Sequence, residues 1–260
     1  MVAECYGDIS VALTGHVAEV EIHRPPNNHV SVELMRDLAD AFHAIDGDAR
    51  VRAIVLASEG KVFCGGADLE RRDGLASGKP TMVNPLYVEA VRLFSCKTPI
   101  VAAVQGAAIG AGLGLSLVAD FRVVAPEARF AANFVKLGFH PGFGLSHTLP
   151  RLIGVQRANL MFQTGRRLKA EEALAWGLAD ELVPLAQLRG RAHALAAEIA
   201  GNAPLAVRST RATLRRGLAE AVKAATDHEF TEQAMLMKTA DFAEGVRAVI
   251  ERRAGNFTGK

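Results

Sequence analysis

Hydrophobic residues in the N-terminal part of the chain alternate between short apolar runs and helical spacing. The runs Ile9–Leu13 and Val17–Ile22 predict two strands around a turn at Thr14-Gly15. From Val32 to Ile45 the apolar residues recur at helical intervals, and Ser31 is a candidate N-cap. The chain therefore is expected to begin with a hairpin that is followed by an amphipathic helix.

The same alternation of strands and helices continues for about another eighty residues, as it does in proteins built from βαβ units. It predicts strands at Ala53–Ala57, Ile100–Val104 and Phe121–Val124, and helices at Pro85–Phe94 and Gly110–Val118. Strands that alternate with helices indicate a mainly parallel sheet with crossover helices. The expected fold class is therefore α/β.

From about Phe143 onward, the pattern predicts helices alone. These helices are Arg167–Trp176, Leu185–Ala200, Pro204–Arg216, Ala219–Met237 and Phe242–Arg253. Helices without strands predict a layer that packs on the α/β core or on a partner subunit. We therefore expect a core in residues 1–195 and a C-terminal helical region in residues 196–260.

The composition changes this picture little. Half of the 260 residues are hydrophobic, and 30 Lys and Arg face 28 Asp and Glu, for a formal net charge of +2. A chain of this length and hydrophobicity fits one large α/β domain. Because the charge is balanced and no basic stripe is present, we expect no nucleic-acid partner.

Several features of the chain favour a cytoplasmic location. The three cysteines lack metal-ligand spacing, which favours a reducing compartment. The start, MVAECYGDIS, does not resemble a secretory signal, and the end, NFTGK, is not a peroxisomal address. The longest apolar run, Ile100 to Val118, contains several glycines and predicts a strand followed by a helix rather than a membrane span.

Two segments place small residues where an apolar strand run meets the start of a helix. They read VFCGGADL (62–69) and VQGAAIGAGLGLSLVAD (104–120). Such a junction leaves free backbone N–H groups at the positive end of a helix. Two junctions that face one pocket could stabilise an oxyanion, although either alone also fits tight packing of a helix on a strand. The chain contains no nucleotide-binding GxxxxGK[ST] or nucleophile GxSxG motif, and GAAIGAGLG lacks the GxGxxG spacing.

Together and in this order, these segments resemble the crotonase (enoyl-CoA hydratase/isomerase) superfamily over nearly the whole chain. The similar motifs are Arg24-Pro25 after a strand, FCGGADL at 63–69, the segment from Gly106 to Asp120, Pro141-Gly142 and LPRLIG at 149–154. The resemblance implies a spiral of ββα turns with a C-terminal helical layer. It also implies an acyl-CoA substrate, no metal, no cofactor beyond the coenzyme A of the substrate, and a homotrimer or a dimer of trimers.

The resemblance assigns roles to individual residues. The backbone N–H groups of Ala67 and Ala111 would form the oxyanion hole for a thioester enolate. The residues implied to surround the substrate are Gly65, Gly66, Asp68, Leu69, Gly110, Gly114 and Phe134. Arg24 and Arg252 would bind the phosphates of coenzyme A, with Arg252 coming from a neighbouring subunit, and His29 would lie near the adenine.

The chain departs from the family pattern at its acids. Gly114 and Phe134 stand where hydratases of this family have two glutamates, and Gly142 stands where related dehalogenases have an aspartate. Asp120 matches an aspartate that is structural in the family. The group that moves the proton is therefore not identified.

His140, in the loop before Pro141-Gly142, is the candidate proton carrier. Asp68, Cys64, Asn133, Lys136 and His147 are nearby alternatives, and each also fits a structural or surface role. Two functions remain open at this point. One is an enzyme of the hydratase/isomerase type, a lyase or an isomerase with a base other than glutamate. The other is a catalytically silent acyl-CoA-binding protein.

Overall fold

The computed structural model describes residues 2–68 and 84–260. Leu69, one of the implied substrate-binding residues, lies outside these ranges. The strands are β1 (Cys5–Tyr6), β2 (Ile9–Thr14), β3 (Val17–Ile22), β4 (Ala53–Ser58), β5 (Ile100–Val104), β6 (Ala107–Ile109), β7 (Phe121–Val124), β8 (Arg129–Ala131), β9 (Arg167–Lys169) and β10 (Glu181–Leu182).

The helices alternate with these strands and then dominate the C-terminal part. They are α1 (Val32–Asp46), α2 (Pro85–Phe94), α3 (Ala111–Ser116), α4 (Leu145–Ile153), α5 (Val155–Thr164), α6 (Ala170–Trp176), α7 (Leu188–Ala200), α8 (Pro204–Leu214), α9 (Leu218–Leu236) and α10 (Ala240–Ile250). Short 3₁₀ helices at Asn133–Leu137 and Leu185–Gln187 complete the described elements.

The main sheet has the strand order β1-β2-β3-β4-β5-β7-β10. Its first three strands pair antiparallel, and the strands from β3 onward pair parallel. The predicted hairpin is confirmed: Thr14 pairs with Val17, and Gly15 takes the left-handed φ of 60° that so tight a turn needs. Ser31 is the N-cap of α1, as predicted, and its hydroxyl accepts from the Leu34 N–H at 3.1 Å.

A second, three-stranded sheet has the order β6-β8-β9. β6 pairs parallel with β8, and β9 pairs antiparallel with β8. This small sheet supports α3, because the Gly110 N–H at the end of β6 donates to the Ala131 carbonyl of β8 at 2.8 Å. The second glycine-rich junction is therefore anchored by pairing that the sequence pattern does not reveal.

Apolar residues fill both faces of the main sheet. One face packs into a large cluster with α1, α2 and the loops around α3. The other face, including Val55, Val101 and Val123, packs against Ala192 and Ala196 of α7. Helix α7 runs without a break across the boundary predicted between residues 195 and 196, and the division into a core and a C-terminal helical region stays a prediction.

The prediction of helices alone after Phe143 is wrong in two places. Strand β9 takes the first three residues of the predicted helix Arg167–Trp176, and β10 follows α6. Both strands are too short to show a two-residue period, which explains why the pattern missed them. The mixed α/β architecture with a helical C-terminal part agrees with the predicted fold class. No helix in residues 2–68 and 84–260 has both the length and the apolar character needed to span a bilayer.

Candidate active site

The first glycine-rich junction is held by backbone hydrogen bonds on both sides. The Cys64 N–H donates to the Ala107 carbonyl at 2.9 Å, and the Gly65 N–H donates to the Asn27 carbonyl at 2.8 Å. The Gly66 carbonyl accepts from the Val30 N–H at 2.9 Å. The segment is thus fixed between β6 and the loop that precedes α1.

The second junction packs directly against the first. Gly110, at φ 55°, turns the chain from β6 into α3. A methyl group on Gly112 would lie 2.0 Å from the Cys64 carbonyl oxygen, and one on Gly66 would lie 3.5 Å from the Ala111 nitrogen. Small residues are therefore required here for contact between the two backbones.

The Ala67 and Ala111 backbone N–H groups are available at this contact. Ala111 is the first residue of α3, where an amide has no partner within its own helix. Within the described ranges, neither N–H meets a hydrogen-bond acceptor. Both residues line one cleft of about 860 Å³. The geometry suits a carbonyl oxygen that gains negative charge.

The end of the cleft beyond these amides is largely aromatic and apolar. Its described lining includes Leu86 and Tyr87 of α2, Phe134 and Leu137 of the first 3₁₀ helix, Phe139 and Phe143 of the following loop, Phe230 of α9, and Met237 directly after α9. Phe134 is only 9% exposed and lies beside Gly110, at 3.7 Å from a methyl group built there.

Aromatic side chains fill the space beside Gly114 and Gly142. A methyl group on Gly114 would lie 2.5 Å from Cδ1 of Phe143. A methyl group on Gly142 would lie 2.1 Å from the Tyr87 hydroxyl oxygen. Any side chain at either position would therefore have to displace an aromatic residue.

His140 lies beside the cleft but is not among its described lining residues. Its Nδ1 is 2.8 Å from the Pro141 carbonyl oxygen, and its ring packs edge-on against that of His228 with the centroids 5.8 Å apart. These contacts hold the ring beside the cleft rather than in its described lining, and the role of His140 as a proton carrier stays a prediction.

The alternatives to His140 occupy different positions. Asn133 and Asp68 line the cleft, whereas Lys136 is exposed and packs near Gly165. His147 lies on α4, outside the described lining. Cys64 is fully buried, and burial raises the pKa of its thiol to about 12. A thiol of this kind is a poor nucleophile at neutral pH.

Asp120 has the structural role that was expected of it. Its carboxylate accepts from the Ile100 N–H at 2.8 Å, from Arg211 Nε at 2.8 Å and from Arg215 Nη1 at 3.0 Å. All of its observed partners lie away from the two junctions. It therefore joins α8 to the main sheet rather than contributing to the cleft.

The predicted coenzyme A-binding residues lie along the same cleft. Arg24 is half-buried, with Nη1 2.9 Å from the Ser31 hydroxyl and Nε 3.3 Å from Asp8. His29 Nδ1 is 3.1 Å from the Gly66 carbonyl oxygen. Arg252 is exposed at the cleft and belongs to the same chain as Ala67. In this chain α10 brings Arg252 to its own cleft, and the contribution of an Arg252 from a neighbouring subunit stays a prediction.

Sequence reasoning missed the contribution of Tyr87 and Gln233 to the cleft. Tyr87 donates from its hydroxyl to Gln233 Oε1 at 2.7 Å, and both side chains are buried. In the sequence, both residues only fit the helical period of their segments, and that period does not show which residues line a cleft. The described residues contain no group of three or more His, Cys, Asp or Glu that could hold a metal ion, and a metal-independent reaction stays a prediction.

Comparison with known proteins identifies the family of the chain. The sequence model of the family described as enoyl-CoA hydratase/isomerase matches residues 13–260. The chain belongs to the enoyl-CoA hydratase/isomerase family. It is 35% identical over 259 residues to a probable enoyl-CoA hydratase of Rhodobacter capsulatus, covering 98% of this chain and 99% of that protein.

Two further members of the family extend the comparison. The chain is 30% identical over 258 residues to the crotonyl-CoA hydratase of Syntrophomonas wolfei, with 98% of this chain and 99% of that one covered. The crystal structure of an enoyl-CoA hydratase/isomerase from Pseudoalteromonas atlantica superposes with a TM-score of 0.87 at 32% identity, over 96% of this chain and all of that one. The predicted crotonase-like α/β fold is confirmed.

Proposed function

We propose that the protein is an enzyme that binds an acyl-CoA and stabilises its thioester enolate, as a hydratase or isomerase of this family. One observation carries the proposal: the backbone N–H groups of Ala67 and Ala111 are without partners among the described residues and line one cleft. Membership of a family whose relatives are named as enoyl-CoA hydratases supports the acyl-CoA as substrate.

In this proposal, the thioester carbonyl oxygen accepts hydrogen bonds from both amides. When a proton leaves or a nucleophile adds near the carbonyl, the negative charge moves onto that oxygen. Fixed N–H groups then stabilise the charge without reorganising, and the first turn of α3 adds its positive end. Gly65, Gly66 and Gly110 leave room for the thioester to approach the backbone.

We further propose that neither of the usual hydratase acids takes part in this chain. Gly114 and Phe134 stand at the positions that the resemblance assigns to the two glutamates. The contact between Gly114 and Phe143 supports the proposal, because no room is left there for a carboxylate. Any proton transfer would then belong to another group, and His140 beside the cleft stays the candidate for it.

The coenzyme A moiety would lie along the cationic side of the cleft. Arg24 and Arg252 supply positive charge for phosphates, and His29 offers a ring beside the Gly66 carbonyl. Asp68 also lines the cleft. No resident cofactor is part of the proposal, since the coenzyme A belongs to the substrate.

We also propose a cytoplasmic homotrimer or dimer of trimers. An apolar groove of about 640 Å³ between α4 and α8 supports assembly, because it has Leu152 and Leu214 on its walls. Leu214 is 69% exposed and Leu205, also on α8, is 82% exposed. Large apolar side chains at such exposure favour burial against another subunit.

The variant Ala111→Pro tests the oxyanion hole, because it removes the Ala111 N–H. Proline has no N–H, and it is well accommodated at the first position of a helix. Ala111→Gly is the matched control, because it alters the same residue and keeps the donor. Turnover is followed by loss of the conjugated-thioester absorbance of 2-enoyl-CoA, and by deuterium exchange next to the thioester carbonyl of saturated acyl-CoA.

We expect Ala111→Pro to lower the rate by about 100- to 1,000-fold, the typical loss for one such donor, while Ala111→Gly keeps most of the activity. Calorimetric titration with acyl-CoA reports binding in parallel. Binding with no reaction in the wild-type protein would contradict the enzymatic part and leave a silent acyl-CoA-binding protein. Failure to bind any acyl-CoA would contradict the proposal as a whole.

A further inference from the structure

We propose that Phe143 is the specificity-determining residue of the cleft, and that it ends the pocket for an apolar acyl group. The inference rests on the proposed function, since it names the part of the acyl-CoA that this site selects. It concerns the end of the cleft beyond the two amides, where the described lining is largely aromatic.

Phe143 lies between the cleft and Gly114. Its side chain is fully buried, and yet the residue is part of the cleft lining. A methyl group on Gly114 would lie 2.5 Å from Cδ1 and 2.9 Å from Cβ of Phe143. The phenyl ring therefore occupies the space that a side chain from α3 would otherwise use, and it closes the cleft at this point.

The backbone after Phe143 is fixed by a buried carboxyl group. Glu229 of α9 is fully buried and accepts from the Gly144 N–H at 2.8 Å. It also accepts from the Ser146 N–H at 2.9 Å and from the Ser146 hydroxyl at 2.6 Å. Phe143 itself has a φ of 64°, a conformation that costs free energy for a residue with a side chain. The contacts of Glu229 hold the chain in this conformation.

The backbone before Phe143 is fixed by an amide. Gln233 Nε2 donates to the carbonyl oxygens of His140 at 3.0 Å and of Pro141 at 3.2 Å. Its Oε1 accepts from the Tyr87 hydroxyl at 2.7 Å. The side chain of Gln233 therefore connects the loop before Phe143 to both α2 and α9. Because both sides of Phe143 are held, the ring cannot easily withdraw from a ligand.

The side chains around this point favour an apolar ligand. The lining here includes Leu86 and Tyr87 of α2, Phe230 and Gln233 of α9, and Met237 directly after α9, and none of these five carries a charge at neutral pH. Burial raises the pKa of the Tyr87 hydroxyl, and the nearby Glu229 carboxyl acts in the same direction. Tyr87 therefore stays neutral, and an acyl group with a charged end would find no partner among these residues.

The test compares the lengths of acyl group that the wild-type protein and Phe143→Ala accept. Butanoyl-, octanoyl- and dodecanoyl-CoA are titrated calorimetrically into each protein. Removing the ring opens the cleft toward Gly114, so that dodecanoyl-CoA should gain about tenfold or more in affinity relative to butanoyl-CoA. Phe143→Leu replaces the ring with a smaller apolar group and serves if Phe143→Ala fails to fold.

Phe134→Ala is the matched control, because it also removes a phenyl ring from the lining, but next to Gly110 and the thioester position. It should weaken all three ligands by similar factors. An unchanged ratio of dodecanoyl to butanoyl affinity in folded Phe143 variants would overturn this inference and leave the proposed function intact. Absence of binding for every acyl-CoA, in every protein tested, would overturn both.

Discussion

Two glycines of α3 are fixed by contacts of different kinds. A methyl group on Gly112 would lie 2.0 Å from the Cys64 carbonyl oxygen, which belongs to the backbone of the opposing junction. A methyl group on Gly114 would meet only the side chain of Phe143. A side chain can change its rotamer, but a backbone carbonyl within a hydrogen-bonded segment cannot. Gly112 is therefore the stricter requirement of the two.

Gly112→Ala should lower the free energy of unfolding by about 1–3 kcal/mol, as overpacking usually does. It should also reduce activity, because the added methyl group pushes the two junctions apart. The matched control is Gly190→Ala in α7, where nothing lies within 4 Å and the residue is exposed. That variant should gain about 0.4–1 kcal/mol from lower backbone entropy in the unfolded chain. Urea denaturation measures both, and wild-type stability in Gly112→Ala would contradict the close contact.

The three cysteines should differ sharply in their reactivity. Burial raises the pKa of Cys64 and of Cys96 to about 12, whereas Cys5 is exposed. A thiol becomes reactive as the pH rises toward its pKa, so the two buried thiols stay protonated throughout the neutral range. Iodoacetamide at pH 8 should therefore modify only Cys5 in the folded protein, as peptide mass spectrometry can show. Modification of native Cys64 at the rate of Cys5 would restore it as a candidate nucleophile.

At the scale of single residues, the sequence predicts candidates whose role depends on local motifs. Ala67 and Ala111 could be located because the glycines that surround them lie within a few positions in the chain. The pairing of Tyr87 with Gln233 could not be located, since the two residues are 146 positions apart. The position of the His140 ring likewise depends on α9, because His228 of that helix packs against it, and the local sequence does not predict this contact.

At the scale of elements, α10 determines how the cleft is covered. It packs closely on the first 3₁₀ helix, where a methyl group on Gly245 would lie 2.4 Å from the Leu137 carbonyl carbon. The rings of Phe139 and Phe242 add a contact with their centroids 5.1 Å apart. These contacts bring Arg252, just after α10, to the cleft of its own chain.

The C-terminal tail folds back on the start of α10. Asp241 accepts from the N–H groups of Thr258 at 2.7 Å and Gly259 at 2.8 Å, and these hydrogen bonds lower the pKa of its carboxyl. The ion pair with Arg253 lowers the pKa of Glu244 to about 2. An acid whose pKa is lower in the folded state stabilises that state at pH values above its pKa in the unfolded chain. This stabilisation is lost as the pH falls through the pKa of the folded state. The tail should therefore remain attached at mildly acidic pH.

Asp241→Asn should release the tail, because the amide replaces one carboxylate oxygen with a donor. We expect hydrogen exchange of the tail amides to accelerate by about tenfold, which corresponds to ~1.4 kcal/mol. Asp227→Asn is the control, since Asp227 is an exposed acid whose ion pair with Lys223 lies within α9. Equal exchange in both variants, measured by mass spectrometry at neutral pH, would show that Asp241 does not anchor the tail.

The elements that the sequence predicted well are those long enough to show a period. Helix α1 and strands β3 and β5 match their predicted ranges to within a residue. Strands β6, β8 and β9 have three residues each and were not predicted. Because β6 and β8 support Gly110, the short strands matter more for the site than their length suggests.

At the scale of the whole molecule, α8 has one face toward the sheet and one toward solvent. Arg211 faces inward, to the buried carboxylate of Asp120, whereas Leu214 is largely exposed at the apolar groove. Ion pairs of this buried kind attach α8 firmly, because removing one partner would leave an unpaired charge. The solvent-exposed face of α8 is therefore held in a fixed position, which suits the proposed subunit interface.

The proposed trimer predicts that a charge in this groove disrupts assembly. Leu214→Glu places a carboxylate where a neighbouring subunit would bury an apolar side chain. Removing that charge from water costs several kcal/mol, which is comparable to the free energy of association of a moderately stable interface. Leu185→Glu is the control, because Leu185 is 50% exposed and does not line the groove. Analytical ultracentrifugation should give the mass of three or six chains for the wild-type protein and the control, and a smaller species for Leu214→Glu. A wild-type monomer would contradict the proposed assembly. In that case the cleft, whose described lining comes from a single chain, would have to function without a neighbour.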